Sequence, residues 1–148
     1  MSFVYTPFKT ELLSGNIDLS GAGVQDIRAL LVMTNTTADT DQDVANIADI
    51  TTLDEYDGAG YGRATFAGEV VNEDAANNRA EFDVTDFNFG ATVAAGTRSA
   101  AGFVVYKHVT NDTDAVLIGY VDSGGFPVNG GGGAFAVTVN VEGLLQAT

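Results

Sequence analysis

The chain has 148 residues, 45% of them hydrophobic, with nine phenylalanines, 18 glycines and two prolines, and its 20 acidic against six basic residues give a formal net charge of −14. That is the length of one domain with enough apolar side chains for its own core, and the charge excludes phosphate backbones and anionic bilayers as natural partners. The absence of cysteine excludes disulfides and thiolate metal sites, and no apolar run approaches the roughly 20 residues of a membrane span.

The opening, Met1-Ser2-Phe3-Val4-Tyr5-Thr6-Pro7, lacks the basic segment and long apolar run of a secretory signal, so synthesis in a cytoplasm is expected. Thr6-Pro7 reads as an N-cap with proline at the first helical position, and Ser14-Gly15 as a stop. This predicts a short helix over residues 7–14, with Phe8 and Leu12 on one face and Leu13 beside Leu12. A helix so short must dock on something. Ile17 and Leu19 alternate before a turn at Gly21-Ala22-Gly23, and Asp26 to Met33 reads as a strand near the centre of a sheet, interrupted by Arg28. From Thr34 to Gly62 polar residues dominate, while Val44, Ile47 and Ile50, followed by Leu53 and Tyr56, recur at threes along a connection that includes one short helix. A connection this long is usually functional or partly structured.

Arg63 to Val71 and Ala80 to Val84 read as strands joined by a turn region from Val70 to Arg79. Ala64, Phe66, Gly68 and Val70 share one face, as do Ala80, Phe82 and Val84, leaving Glu69, Glu81 and Asp83 for solvent or a partner. Phe87 and Phe89 alternate up to Gly90. The stretch from Arg98 to Asp122 is central. Its apolar runs, Ala100 to Tyr106 and Ala115 to Val121, flank the polar segment Val109 to Asp114 and read as a hairpin. Phe103 and Val105 point opposite to Val104 and Tyr106, so these strands should be covered on both faces. After the glycine loop Gly130 to Gly133, Ala134 to Val141 reads as a closing strand with Phe135, Val137, Val139 and Val141 on one face. Short strands, glycine-rich turns and no long helices predict an all-β fold. The expected architecture is a single β-sandwich domain over residues 1–148, with a jelly roll as one candidate topology and an N-terminal arm or short helix over about residues 1–15.

Candidate sites mostly fail on spacing. Gly130 to Gly133 lacks the Gly-Lys-Ser/Thr of a phosphate loop and opens a strand, and Gly58-Ala59-Gly60-Tyr61-Gly62 lacks the dinucleotide spacing. Both read as turns. Asp39-Thr40-Asp41-Gln42-Asp43 alternates carboxylates like a calcium loop, but Val44 stands where glycine is required and Ile50 where glutamate is. It reads as a solvated acidic loop, as do Asp54-Glu55-Tyr56-Asp57 and Asp112-Thr113-Asp114. His108, the one histidine, has no triad motif around it and reads as a strand-end surface residue. No carboxylate pair has a context favouring glycoside hydrolysis. No catalytic residue, cofactor or metal site is expected.

Arg98, Phe103-Val104-Val105-Tyr106-Lys107, an acidic loop, Leu117-Ile118-Gly119-Tyr120-Val121-Asp122, a glycine loop, and Phe135-x-Val137-x-Val139 leading to Glu142-Gly143-Leu144-Leu145 follow in an order that resembles small virion proteins of tailed bacteriophages. The start is similar too, with Phe8-Lys9-x-x-Leu12-Leu13-Ser14-Gly15, Ile17-Asp18-Leu19 and Ile27-Arg28-Ala29-Leu30-Leu31. A tryptophan often present in the strands of such proteins is absent, with Asn140 in its place. The resemblance implies a capsid decoration or cement protein, located on the virion exterior and binding the major capsid protein of a phage head, commonly as a homotrimer. Under it, Ser2 to Ser14 and Thr34 to Gly62 are the expected contact elements, through Phe3, Phe8, Leu12, Val44, Ile47 and Tyr56. Two alternatives belong to other classes. A tail or fibre component binding a host-surface glycan would stack Tyr56, Tyr61 or Phe126 on sugar, and a small hydrolase would need a pocket of convergent acids.

Overall fold

The computed structural model describes residues 2–19 and 25–147, so the expected turn at Gly21-Ala22-Gly23 lies outside the described residues. Strand β1 (Phe3–Val4) leads into helix α1 (Thr6–Leu13), and β2 (Asp26–Met33) follows. A long connection with one 3-10 turn at Ile47–Asp49 separates β2 from β3 (Ala64–Thr65), β4 (Val70–Asp74), β5 (Arg79–Asp83) and β6 (Phe87–Asn88). The chain continues with β7 (Ala100–His108), β8 (Val116–Val121), β9 (Ala136–Val137) and β10 (Leu145–Ala147). These strands form a five-stranded sheet in the order β1-β8-β7-β2-β3, a three-stranded sheet in the order β10-β5-β4, and the pair β6-β9. Every pairing among them is antiparallel. The fold is all-β, with sheets packed in a sandwich-like way; the strand order does not confirm a jelly roll.

The expected hairpin is β7 and β8, and β7 is the middle strand of the large sheet. Phe103 stands opposite Leu31 and Val121, whereas Val104 stands opposite Leu30 and Tyr120. Cross-strand partners share a face, so both faces of the sheet are apolar and both need cover. Phe87 and Phe89 supply it on the Phe103 side, with ring centres 5.7 and 6.0 Å from that of Phe103. On the other side Phe3 packs against Tyr120 at 5.6 Å. Strand β10 approaches β8 where Gly119 has no side chain; a Cβ there would lie 2.7 Å from Leu145 Cδ2. Each phenylalanine buried in this way contributes about 1.5–3 kcal/mol.

Four expectations differ in detail, each for a tertiary reason. Tyr5, not Thr6, is the N-cap of α1, and it makes no side-chain cap hydrogen bond. The Thr6 N–H is satisfied instead by the Gln42 carbonyl at 2.9 Å. The expected strand Arg63 to Val71 is split, because Gly68 at φ 69° turns the chain from the large sheet into the small one. This resets the alternation: Val70 to Asp74 is strand rather than turn, Val70 and Ala80 are exposed, and Glu81 is buried beside Arg79. At the C-terminal end, only Ala136 and Val137 of the expected closing strand pair with β6, Val141 is 92% exposed, and β10 forms beyond it.

Candidate functional site

Helix α1, the N-terminal contact element expected from the sequence, is anchored at one end and open at the other. Tyr5, extended and fully buried, donates its hydroxyl to the Ala38 carbonyl at 2.8 Å, and burial pushes its pKa up. Pro7 sits in the first turn, where no N–H is needed, and Phe8 is buried. Gly15, at φ 70°, ends the helix and donates its N–H to the Leu12 carbonyl at 3.1 Å. Leu12 and Leu13 then face outward, 41% and 89% exposed.

The other expected contact residues are divided between core and surface. Phe3 is half-buried between Tyr5 and Tyr120, at 5.1 and 5.6 Å, and Val44 is half-buried against the core. Phe8, Ile47 and Tyr56 are buried in the chain's own core. Their connection is woven into the large sheet: Leu117 and Ile47 donate their N–H groups to the Ala45 and Ala115 carbonyls, and Met33 and Tyr56 donate theirs to the Asp54 and Leu31 carbonyls. Of the aromatics considered for stacking on sugar, Tyr56 is enclosed, Tyr61 has its hydroxyl engaged, and Phe126 is half-buried with its ring 6.1 Å from Phe103.

The acidic clusters are structural ties. Arg63 binds Glu55 at 2.9 and 2.7 Å and Asp112 at 2.5 and 2.9 Å, with its guanidinium 5.6 Å from the Tyr106 ring centre. The hydrogen bonds from Arg63 hold the Asp112 carboxyl below the ordinary range. Tyr61 donates to Glu55 at 2.8 Å and accepts the Leu31 N–H at 3.1 Å, which fastens the network to the backbone of β2. Arg98 holds Asp54 at 2.5 and 3.0 Å, and Asp57 accepts both the N–H and the hydroxyl of Thr97. In the expected acidic loop, Asp41 accepts the Thr37 hydroxyl and the Thr51 N–H, both at 2.7 Å, and these bonds lower its pKa. Asp74, Glu81 and Glu142 lie close enough together to hold a metal ion. The guanidinium of Arg79 already sits among them, 2.9 Å from Asp74, 2.8 Å from Glu81 and paired with Glu142.

His108 ends β7 opposite Asp26 and is half-buried rather than at the surface, with Nδ1 enclosed. Asp26, Asp112 and Asp114 lie near it. Each of these carboxylates is held elsewhere: Asp26 by Arg28 at 2.8 and 2.6 Å, Asp112 by Arg63, and Asp114 by the Thr110 and Asn111 N–H groups at 2.9 Å. Cavities of about 470 and 490 Å³ lie elsewhere, along the glycine-rich segment. The first is lined by Phe103, Phe126, Phe135, Val137 and Leu144, and the second largely by glycine backbone.

No family model matches this chain, and comparisons with curated proteins and with solved structures give no match. Among the described residues no helix is long and apolar enough to cross a membrane.

One exposed apolar feature was missed by sequence reasoning: Val70 and Val71 on β4 are 41% and 43% exposed. The signal was present, since two adjacent valines after a glycine break the alternation that had assigned Val70 to the core.

Proposed function

We propose that this chain is a structural protein of a bacteriophage virion, which binds the outer surface of the head through the major capsid protein and stabilises it. The carrying observation is the outward pair Leu12 and Leu13 on a helix anchored by Tyr5 and Phe8. Leu13, 89% exposed beside the exposed Leu12, is available for contact with a partner. The same residues lie within Phe8-Lys9-x-x-Leu12-Leu13-Ser14-Gly15, one of the motifs on which the resemblance to phage virion proteins rests. Modest apolar contacts of this kind, repeated over symmetry-related copies, sum to substantial stabilisation of a shell. A homotrimer on the virion exterior is the arrangement this reading favours.

The test is to mix the purified protein with expanded capsids that lack it. Binding at a fixed number of copies per capsid, with a higher rupture temperature, is the expected result. Absence of binding, or binding with no gain in capsid stability, overturns the reading.

A further inference from the structure

Sheet edges differ greatly in what they offer another chain. Among the described strands, β1 and β3, which flank the large sheet, are two residues each; β6 and β9 are also two, and β10 is three. These are too short to hold much. β4 is an edge strand of five residues, paired in unbroken register with β5 on one side only. An edge strand of this kind directs alternate backbone N–H and C=O groups outward. Lysine, proline and bulges, three means of blunting an edge, are missing from Val70-Val71-Asn72-Glu73-Asp74, whose only charges are the acidic Glu73 and Asp74. Val70 and Val71 are both substantially exposed and point to opposite faces.

Charge selects the strand that this edge accepts. Glu69 precedes β4, Glu73 is exposed opposite Ala80, and Asp74 is paired with Arg79. A second copy laid against β4 would bring a second set of the same carboxylates alongside the first, and like charges on neighbouring strands are unfavourable. A basic strand gains where a second copy loses. We propose that the free edge of β4 is a strand-addition site for an extended segment of a partner protein. That segment carries basic residues opposite Glu69 and Glu73 and apolar residues opposite Val70 and Val71. The backbone ladder supplies affinity, while the valine and glutamate positions set the register. The inference deepens the proposed function and rests on it only for the source of the partner.

The probe is a synthetic peptide containing Arg-Lys-Thr-Val-Val-Lys, which in antiparallel register meets Asp74 through Glu69 in turn; its control replaces every basic residue with glutamate. Hydrogen exchange of the full chain is followed during titration. The basic peptide should slow exchange at β4 amides, lose its effect as salt is raised, and bind about tenfold more weakly to Glu73→Lys and to Glu69→Lys. The acidic control should leave β4 unchanged. Glu73 is exposed and Glu69 half-buried, and unchanged melting of each variant checks that it folds. Protection at a different segment, equal binding to the variants, or concentration-dependent protection of β4 without peptide, as a self-pairing edge would give, overturns the proposal. Capsid binding distinguishes the two readings. A Glu73→Lys variant that binds capsids normally removes the edge and keeps the capsid, while a peptide-binding chain that ignores capsids does the reverse.

Discussion

Arg63 and Asp112 lie 49 positions apart in the chain and meet as a two-pronged ion pair at 2.5 and 2.9 Å. The pair ties the start of β3 to the loop between β7 and β8, and through Glu55 it includes the long connection as well. Arg63→Ala should cost about 1–2 kcal/mol, less than a fully buried pair because the partners keep partial contact with water.

The pair also predicts an acid sensitivity. Arg63 lowers the Asp112 carboxyl in the folded state, and Arg28 does the same for Asp26. A depressed carboxyl contributes stability above its unfolded value, near pH 4, and that contribution disappears as pH falls through the folded value. Urea midpoints of wild type and Arg63→Ala should therefore differ most near neutrality and converge below about pH 4. A gap that stays constant on acidification would show that Asp112 gains nothing from Arg63.

Tyr56 is a second joint. Its hydroxyl accepts the N–H groups of Gly96 and Gly130, both at 2.8 Å, and donates to Asn129 Oδ1 at 2.5 Å. Tyr56→Phe keeps the ring but leaves the Gly96 and Gly130 N–H groups only their second acceptor, Asn129 Oδ1 at 2.8 and 3.0 Å, at a cost of about 0.5–1.5 kcal/mol. Faster hydrogen exchange at Gly96 and Gly130 than in wild type is the accompanying sign, and unchanged exchange there would refute the assignment.

Neighbouring glycines in one run should respond differently to alanine. A Cβ at Gly130 would stand 2.4 Å from the Ala94 carbonyl oxygen, whereas one at Gly131 meets nothing within 4 Å, and its φ is not positive. Gly130→Ala should destabilise by more than about 1 kcal/mol, while Gly131→Ala should be neutral or slightly stabilising through the unfolded chain. Thermal melting of the two variants, measured side by side, decides the matter.

Leu13→Ser removes an exposed side chain and should leave the melting temperature unchanged. If the outward end of α1 meets a capsid, the same change should lower occupancy of expanded capsids several-fold. Wild-type occupancy by this variant would remove Leu13 from the contact.

Much of the fold was legible because burial leaves a local trace. Ala29 to Met33 and the runs in Ala100 to Val121 are dominated by apolar residues, and those runs lie in the central strands. The short helix was marked by Pro7 and Gly15, which act on their own turns. The exchange of sheets at Gly68 left only a weak mark, as did the two-residue strand β1, since strands that short owe their existence to the partner across from them. The contact residues divided for the same reason. Apolar character alone does not say whether Tyr56 or Leu13 is the one that reaches solvent.

By itself the sequence determined an all-β chain with a doubly covered central hairpin, because periodicity and turn chemistry act over a few residues. Only the tertiary structure decided that two of the acidic loops are clasped by arginines, that Phe8, Ile47 and Tyr56 lie inside, and that Leu13 and the edge of β4 lie outside. Those outcomes depend on which distant segments come to lie beside one another, and charge pairing or burial across 40 or more positions, as for Arg98 with Asp54 or Arg63 with Asp112, has no local signature.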